Sequence, residues 1–231
     1  MKPVELSERN TLFTEKMGEF YDLNLGLIRG ARRNYLIDTG LGSGSIAPVT
    51  EYLRGDGKPV VVINTHCHWD HVWGNFLFEG GTIISHRRCY ELMEEHWDEM
   101  AEENKTAVDG EMRKCFPNLT FEGGLYFPDD GVRIFFTPGH SEDGISVYDG
   151  VDKVLYAGDN IGDTAEEIVP YIDTDIETFR RTIEIYKTYD FNICVSGHNK
   201  PQGRDILSRM ENALEESWKK QIAQFGMPGE N

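Results

Sequence analysis

No uninterrupted apolar run of about 18 residues occurs in this chain, so a membrane-spanning helix is not among its options. The opening stretch, Met1 to Asn10, is charged and polar where an export signal needs an apolar core, and a soluble, cytoplasmic protein is expected. Four cysteines, Cys67, Cys89, Cys115 and Cys194, form no Cys-x-x-Cys pair, which removes a zinc knuckle and a thioredoxin-type redox motif and leaves reduced thiols. Basic charge is scarce. With 23 Lys and Arg against 40 Asp and Glu, the net charge is -17, a balance that repels a phosphate backbone and argues against nucleic acid as a partner. The densest acidic stretch, Glu91 to Glu103, reads as a solvated helix face. Repeats, low-complexity tracts and linkers are missing too, and 39% hydrophobic residues over 231 positions suffice for one core, so a single domain over residues 1–231 is expected.

What is present reads as strands and helices in alternation. Thr11 to Thr14, Phe20 to Ile28 and Asn34 to Ile37 look like a β-meander, closed by Asp38-Thr39-Gly40. Ile46 to Arg54 could form a first helix. Lys58 to Ile63 carries the β-branched run Val60-Val61-Val62-Ile63, apolar on both faces as a strand covered on both sides must be. Thr82 to Ser85 reads as a strand and Arg87 to Asn104 as a helix with Leu92, Met93, Trp97 and Met100 on one side. Leu119 to Phe121, Leu125 to Phe127, Val132 to Phe136, Ile145 to Tyr148 and Lys153 to Tyr156 suggest a second sheet. Thr174-Asp175-Ile176-Glu177 has capping-box spacing for a helix bearing Ile176, Phe179, Ile183 and Tyr186, Asn192 to Val195 is a last strand, and Arg204 to Gln224 a long amphipathic helix.

The chemistry is concentrated in His66-Cys67-His68-Trp69-Asp70-His71, which sets four potential metal ligands within six residues of a chain that has only seven histidines. In an extended segment side chains two apart share a face, so His66 and His68 can reach one cation while Cys67 turns away into packing. Asp70 and His71 follow where the chain must turn and can face a second position. Three more candidates each end a strand in a glycine-containing loop: Thr137-Pro138-Gly139-His140, Ala157-Gly158-Asp159 and Ser196-Gly197-His198. Glycine beside a ligand lets the backbone approach a crowded centre. Neutral imidazoles suit zinc and its neighbours, and carboxylates compensate charge, so the set points to divalent metal. Trp69 and Trp73 beside that loop read as packing, with a pocket wall as the alternative, while His86 and His96 read as ordinary polar residues.

The order His-x-His-x-Asp-His, then Thr-Pro-Gly-His, then Gly-Asp, then Gly-His resembles the metallo-β-lactamase superfamily over most of the chain, from Asp38-Thr39-Gly40 to His198. The resemblance implies an α/β fold of the four-layer αβ/βα sandwich type, two mixed β-sheets flanked by helices. It further implies that His66, His68 and His140 hold one divalent cation, that Asp70, His71 and His198 hold another, and that Asp159 bridges them. Zinc is the first choice, with iron or manganese as alternatives. Two such cations would acidify a shared water and polarise a substrate oxygen. Asp70 is then a candidate to orient the water and carry its proton, and Asp38 a candidate partner for a ligand histidine.

Departures narrow the reading. Diiron reductases of this superfamily carry Glu where His68 stands and continue into a flavin domain. Glyoxalase II-like thioesterases run on into a Cys-Gly-Arg-containing stretch, whereas Asn160-Ile161-Gly162-Asp163 follows here. Quorum-signal lactonases commonly place tyrosine where Gly162 stands, although Tyr148 or Tyr171 could take that part. What is left is a hydrolase of an ester, thioester or related bond in a small molecule. The alternative is a non-hydrolytic protein of the same fold, a diiron redox protein or a metal sensor.

Overall fold

The computed structural model describes residues 1–17 and 21–225. Seven strands, β1 (Lys2–Glu5), β2 (Asn10–Met17), β3 (Tyr21–Arg29), β4 (Asn34–Ile37), β5 (Val60–Ile63), β6 (Thr82–His86) and β7 (Leu119–Phe121), lie side by side in chain order as one sheet. Antiparallel pairing runs through β4 and parallel pairing from β4 to β7, so the sheet is mixed. The second sheet has the order β12-β11-β10-β9-β8, built from β8 (Gly124–Phe127), β9 (Val132–Phe136), β10 (Ile145–Asp149), β11 (Val154–Tyr156) and β12 (Ile193–Val195). Only β11 and β12 pair in parallel there.

Alternation along the inner strands builds the layers. Tyr35 and Ile37 of β4 and Val61 and Ile63 of β5 face the second sheet, where they meet Val132, Ile134, Val147 and Tyr156. The residues between them, Leu36 and Val62, face the other way, onto Ile46 and Val49 of helix α1 (Ser43–Tyr52). This is why Val60 to Ile63 is apolar on both faces. On the far side of the second sheet, α4 (Ile176–Lys187) and α5 (Ile206–Phe225) bury Phe179, Ile183, Tyr186, Met210 and Leu214. A short helix α2 (Trp69–Val72) follows β5, and α3 (Arg87–Glu103) packs Cys89, Met93 and Trp97 against it. The result is helix, sheet, sheet, helix. No described helix is long and apolar enough to cross a membrane.

Most sequence-read elements stand within a few residues of their expected bounds, and the differences have local causes. Phe20 lies outside the described residues. The polar start is recruited as β1, an exposed edge strand on β2. Leu119 to Phe121 joins the first sheet and not the second, because α3 carries the chain back to lie parallel beside β6, a βαβ connection. The cap of α4 is Asp175, whose carboxylate accepts from the Thr178 amide at 2.8 Å, because the Thr174 hydroxyl is engaged on the Gly139 carbonyl at 2.9 Å.

Candidate metal centre

The centre lies at the end of the sandwich where β5, β9, β11 and β12 run out into the loops bearing the expected ligands. Strand β5 ends in Asn64-Thr65-His66, and His68 follows with its ring turned the same way, His66 Nε2 standing 3.0 Å from His68 Nδ1. Cys67 points away into the cluster of Trp73, Cys89, Met93 and Trp97, where burial raises its thiol pKa. Trp73 is fully buried, which makes it packing and not a pocket wall. His86 caps α3, accepting from the Arg88 amide, and stacks on Phe136, while His96 is exposed, so neither joins the centre.

The other strand ends complete the ring. His140 brings Nε2 to 3.2 Å from His68 Nδ1. Asp159 stands in the middle, its Oδ2 at 3.6 Å from His66 Nε2, 3.7 Å from His140 Nε2, 3.3 Å from His71 Nε2 and 3.1 Å from His198 Nε2. Asp70, in the first turn of α2, reaches His198 Nε2 at 3.2 Å and His71 Nε2 at 3.7 Å. The donors fall into two adjacent groups, His66, His68, His140 and Asp159 in one and Asp70, His71 and His198 in the other, each within 4.8 Å. All seven sequence-read candidates therefore converge.

Outward contacts settle which way the imidazoles of His66, His71, His140 and His198 face. His140 Nδ1 donates to the Tyr171 carbonyl and His198 Nδ1 to the Asp22 carbonyl, both at 2.9 Å. A carbonyl oxygen can only accept, so in these rings Nδ1 carries a proton and Nε2 is the nitrogen turned to the interior. His71 Nδ1 meets Asp38 Oδ2 at 2.9 Å. The same carboxylate accepts from the Thr65 amide at 2.7 Å and the Thr65 hydroxyl at 2.8 Å, and that hydroxyl oxygen takes His66 Nδ1 at 3.0 Å. Asp38 thus orients one histidine of each group, from a backbone held in the left-handed region at φ 62°, which Asp tolerates better than most residues.

Electrostatics divides the groups in the same way. Burial, then the neighbouring imidazoles of His71 and His68, holds His66 well below its ordinary pKa, and burial is likewise the leading cause of the lowering at His68 and His140. Burial also opposes charge on His71, but Asp159, Asp70 and Asp38 outweigh it and raise its pKa well above the ordinary value. His198 is raised well above for the same reason, Asp159 again outweighing burial. Burial pushes the Asp159 carboxyl up, and the imidazoles of His198, His71 and His66 more than reverse it.

The donor set fits divalent metal. Nitrogen donors at about 2.0–2.1 Å from one tetrahedral zinc stand roughly 3.3 Å apart, and the facing nitrogens of His66, His68 and His140 are 3.0 and 3.2 Å apart. His71 Nε2 and Asp159 Oδ1 are buried with no hydrogen-bond partner, which a cation would remedy. Gly197 is indispensable to this crowding, since a Cβ there would lie 2.2 Å from Asp159 Oδ1 and 2.7 Å from His71 Cε1. Sequence reading assigns no positioning role to Asn160 and Asn199, although each directly follows a candidate ligand. Asn160 Oδ1 accepts from the His140 amide at 3.0 Å, and Asn199 Nδ2 donates to the Gly162 and Thr164 carbonyls at 2.7 and 2.8 Å.

Two mixed sheets between helical layers, with imidazoles and carboxylates gathered at one end, define a metallo-hydrolase architecture. The family model of the metallo-beta-lactamase superfamily matches residues 20–198, and the chain belongs to that superfamily. It is 26% identical over 217 residues to the human acyl-coenzyme A thioesterase MBLAC2, spanning 81% of this chain and 76% of that protein. It is also 32% identical over 151 residues to "Probable metallo-hydrolase MJ0888" of Methanocaldococcus jannaschii, spanning 62% of this chain and 69% of that protein. Among solved structures, TMB-1 superimposes with TM-score 0.76 at 17% identity, covering 94% of this chain and 98% of the other. A metallo-beta-lactamase from Pontibacter korlensis does so with TM-score 0.74 at 21% identity, covering 93% and 98%. These structures share the fold. The chain is a hydrolase of that fold.

Proposed function

We propose that the protein binds two divalent cations, zinc by preference, and uses them to hydrolyse a thioester or ester of a small molecule. One observation carries this reading: the Nδ1 atoms of His66, His71, His140 and His198 are spent on outward oxygen partners, so it is their Nε2 atoms that converge around Asp159 Oδ2, with His68 Nδ1 beside those of His66 and His140. His66, His68 and His140 would hold one ion, Asp70, His71 and His198 the other, with Asp159 between them. When bound, the cations supply an acidified water and a positive pole for the substrate's carbonyl oxygen. The chain's own residues do the rest. Asp38 and Thr65 fix the imidazoles of His71 and His66, the Tyr171 and Asp22 carbonyls fix His140 and His198, and Asp70, in the second group, takes the proton released as water attacks. The thioester comes from the relatives' printed activity, and zinc from a nitrogen-dominated donor set.

The test combines metal analysis with a substrate panel of thioesters, esters, lactones, phosphodiesters and β-lactams. Two equivalents of metal and turnover of a thioester or ester are expected. Asp70→Ala should lose about 10²–10⁴ in turnover together with affinity for one equivalent. Full activity in that variant overturns the role of Asp70. Metal-replete protein that cuts nothing in the panel, or a coloured, iron-loaded, redox-active preparation, overturns the hydrolytic reading.

A further inference from the structure

A groove of about 410 Å³ lies between the loop after Asp159 and the end of α5. Its loop wall is tied to the centre at both ends. Asn199, next to His198, holds the Gly162 and Thr164 carbonyls, and the Tyr171 carbonyl holds His140 Nδ1. The helix wall is fastened to the same loop by Gln221, which accepts from the Ile172 amide at 3.0 Å and donates to the Pro170 carbonyl at 2.8 Å. The groove is therefore built into the fold beside the ligand cluster, which its lining residue Tyr171 touches through the carbonyl on His140.

The lining has a definite chemistry. Asp163, Glu166 and Glu167 supply carboxylates, and the one cation among the described lining residues, Lys220, is paired with Glu216 at 2.8 Å. Tyr171 and Phe225, 41% and 55% exposed, present an edge-to-face aromatic pair at 5.3 Å on the same groove. Carboxylates beside exposed aromatic faces attract a substituted ammonium by Coulomb and cation–π terms, and repel phosphate.

We propose that this groove takes the ammonium-bearing arm of a cationic thioester or ester, in place of the polyphosphate handle of coenzyme A. The proposal rests on the hydrolytic reading of the centre. In the reaction, water's oxygen joins the acyl carbon as the bond to sulfur or oxygen breaks, the proton goes to the departing atom, and the ammonium stays intact. One solvated charge pair at about 8 Å is worth roughly a two- to threefold factor, and an exposed cation–π contact about two- to fivefold, so pairs with both Glu166 and Glu167 and one such contact multiply to a preference of roughly tenfold or more.

The experiment compares butyrylthiocholine, the neutral S-butyryl-N-acetylcysteamine and butyryl-coenzyme A on the zinc-loaded protein, reading released thiol. The expected order of kcat/KM is cationic, neutral, anionic, with the cationic-to-anionic ratio falling at least about tenfold in the Glu166→Lys/Glu167→Lys variant and shrinking with added salt. A coenzyme A ester preferred by the wild type, or a ratio indifferent to both changes, overturns the proposal. Calorimetry with the unreactive thioethers S-butylthiocholine and S-butyl-coenzyme A separates the two readings. If no thioester is cut but the ammonium thioether binds more tightly, hydrolysis is overturned and the groove assignment upheld, whereas equal or reversed binding overturns the groove assignment.

Discussion

Asp38→Asn is the most informative single change, because one carboxylate orients a histidine of each ligand group. Its Oδ2 serves both His71 Nδ1 and the Thr65 hydroxyl, at 2.9 and 2.8 Å, and its Oδ1 serves the Thr65 amide at 2.7 Å. An amide of the same shape cannot accept on both sides. If its NH2 faces His71, Nδ1 must become the acceptor, the proton moves to Nε2, and the inward lone pair is lost; if its oxygen faces His71, the NH2 opposes the Thr65 amide donor. Loss of such an orienting partner costs about 10–100-fold in metal affinity, or about 1.4–2.8 kcal/mol. The damage should be greatest at the Asp70, His71 and His198 group, which Asp38 touches directly, and weaker at the other, which it reaches through Thr65. Thr65→Val reverses the pattern, because it removes the hydroxyl that links Asp38 to His66 Nδ1 while Asp38 keeps its direct contact with His71. Chelator competition on each variant reads the two affinities, and ion-free melting is recorded in parallel, since a buried donor left unpaired costs about 1–3 kcal/mol. Wild-type affinity for both equivalents in Asp38→Asn, measured where His71→Ala loses one, refutes the orienting argument.

Gly197→Ala should lower metal affinity by about tenfold or more with the circular dichroism spectrum retained, because the new methyl collides with Asp159 and His71; unaltered affinity contradicts the packing. Metal uptake should depend on pH unequally. His71 and His198, raised by the carboxylates around them, hold protons at neutral pH that a cation must displace, so their group's affinity climbs as pH rises and falls in acid, while the lowered His66, His68 and His140 release few protons. Calorimetry in buffers of different ionisation enthalpy, at about pH 6 and about pH 8.5, should show the proton release confined to the second equivalent; equal release at both steps removes the argument. Phe179→Ala should cost about 3–5 kcal/mol in denaturant unfolding, since Phe179 is fully buried and its ring lies against Gly139 of the His140 loop; a loss under about 1 kcal/mol contradicts that packing.

Much of the candidate centre was legible along the chain because its signals are local. His66 and His68 two apart on an extended segment, and a glycine beside His140, Asp159 and His198, need no tertiary knowledge to be noticed. The doubly apolar run of β5 likewise announces a strand buried on both faces. Other features left no local trace. The placement of β7 depends on where α3 returns the chain, and the start of α4 depends on the Thr174 hydroxyl being engaged by a carbonyl 35 residues away. Both are settled by partners distant in sequence.

By its order alone, the chain determined which side chains are available for coordination and which strand ends carry them, because ligand chemistry and side-chain periodicity are properties of short segments. Tertiary structure alone decided which imidazole nitrogen faces inward, since that depends on oxygens from Asp22, Asp38, Thr65 and Tyr171 on separate elements. It also decided the groove, whose acidic and aromatic walls come from a loop and a helix roughly 50 residues apart that the Gln221 contacts bring together.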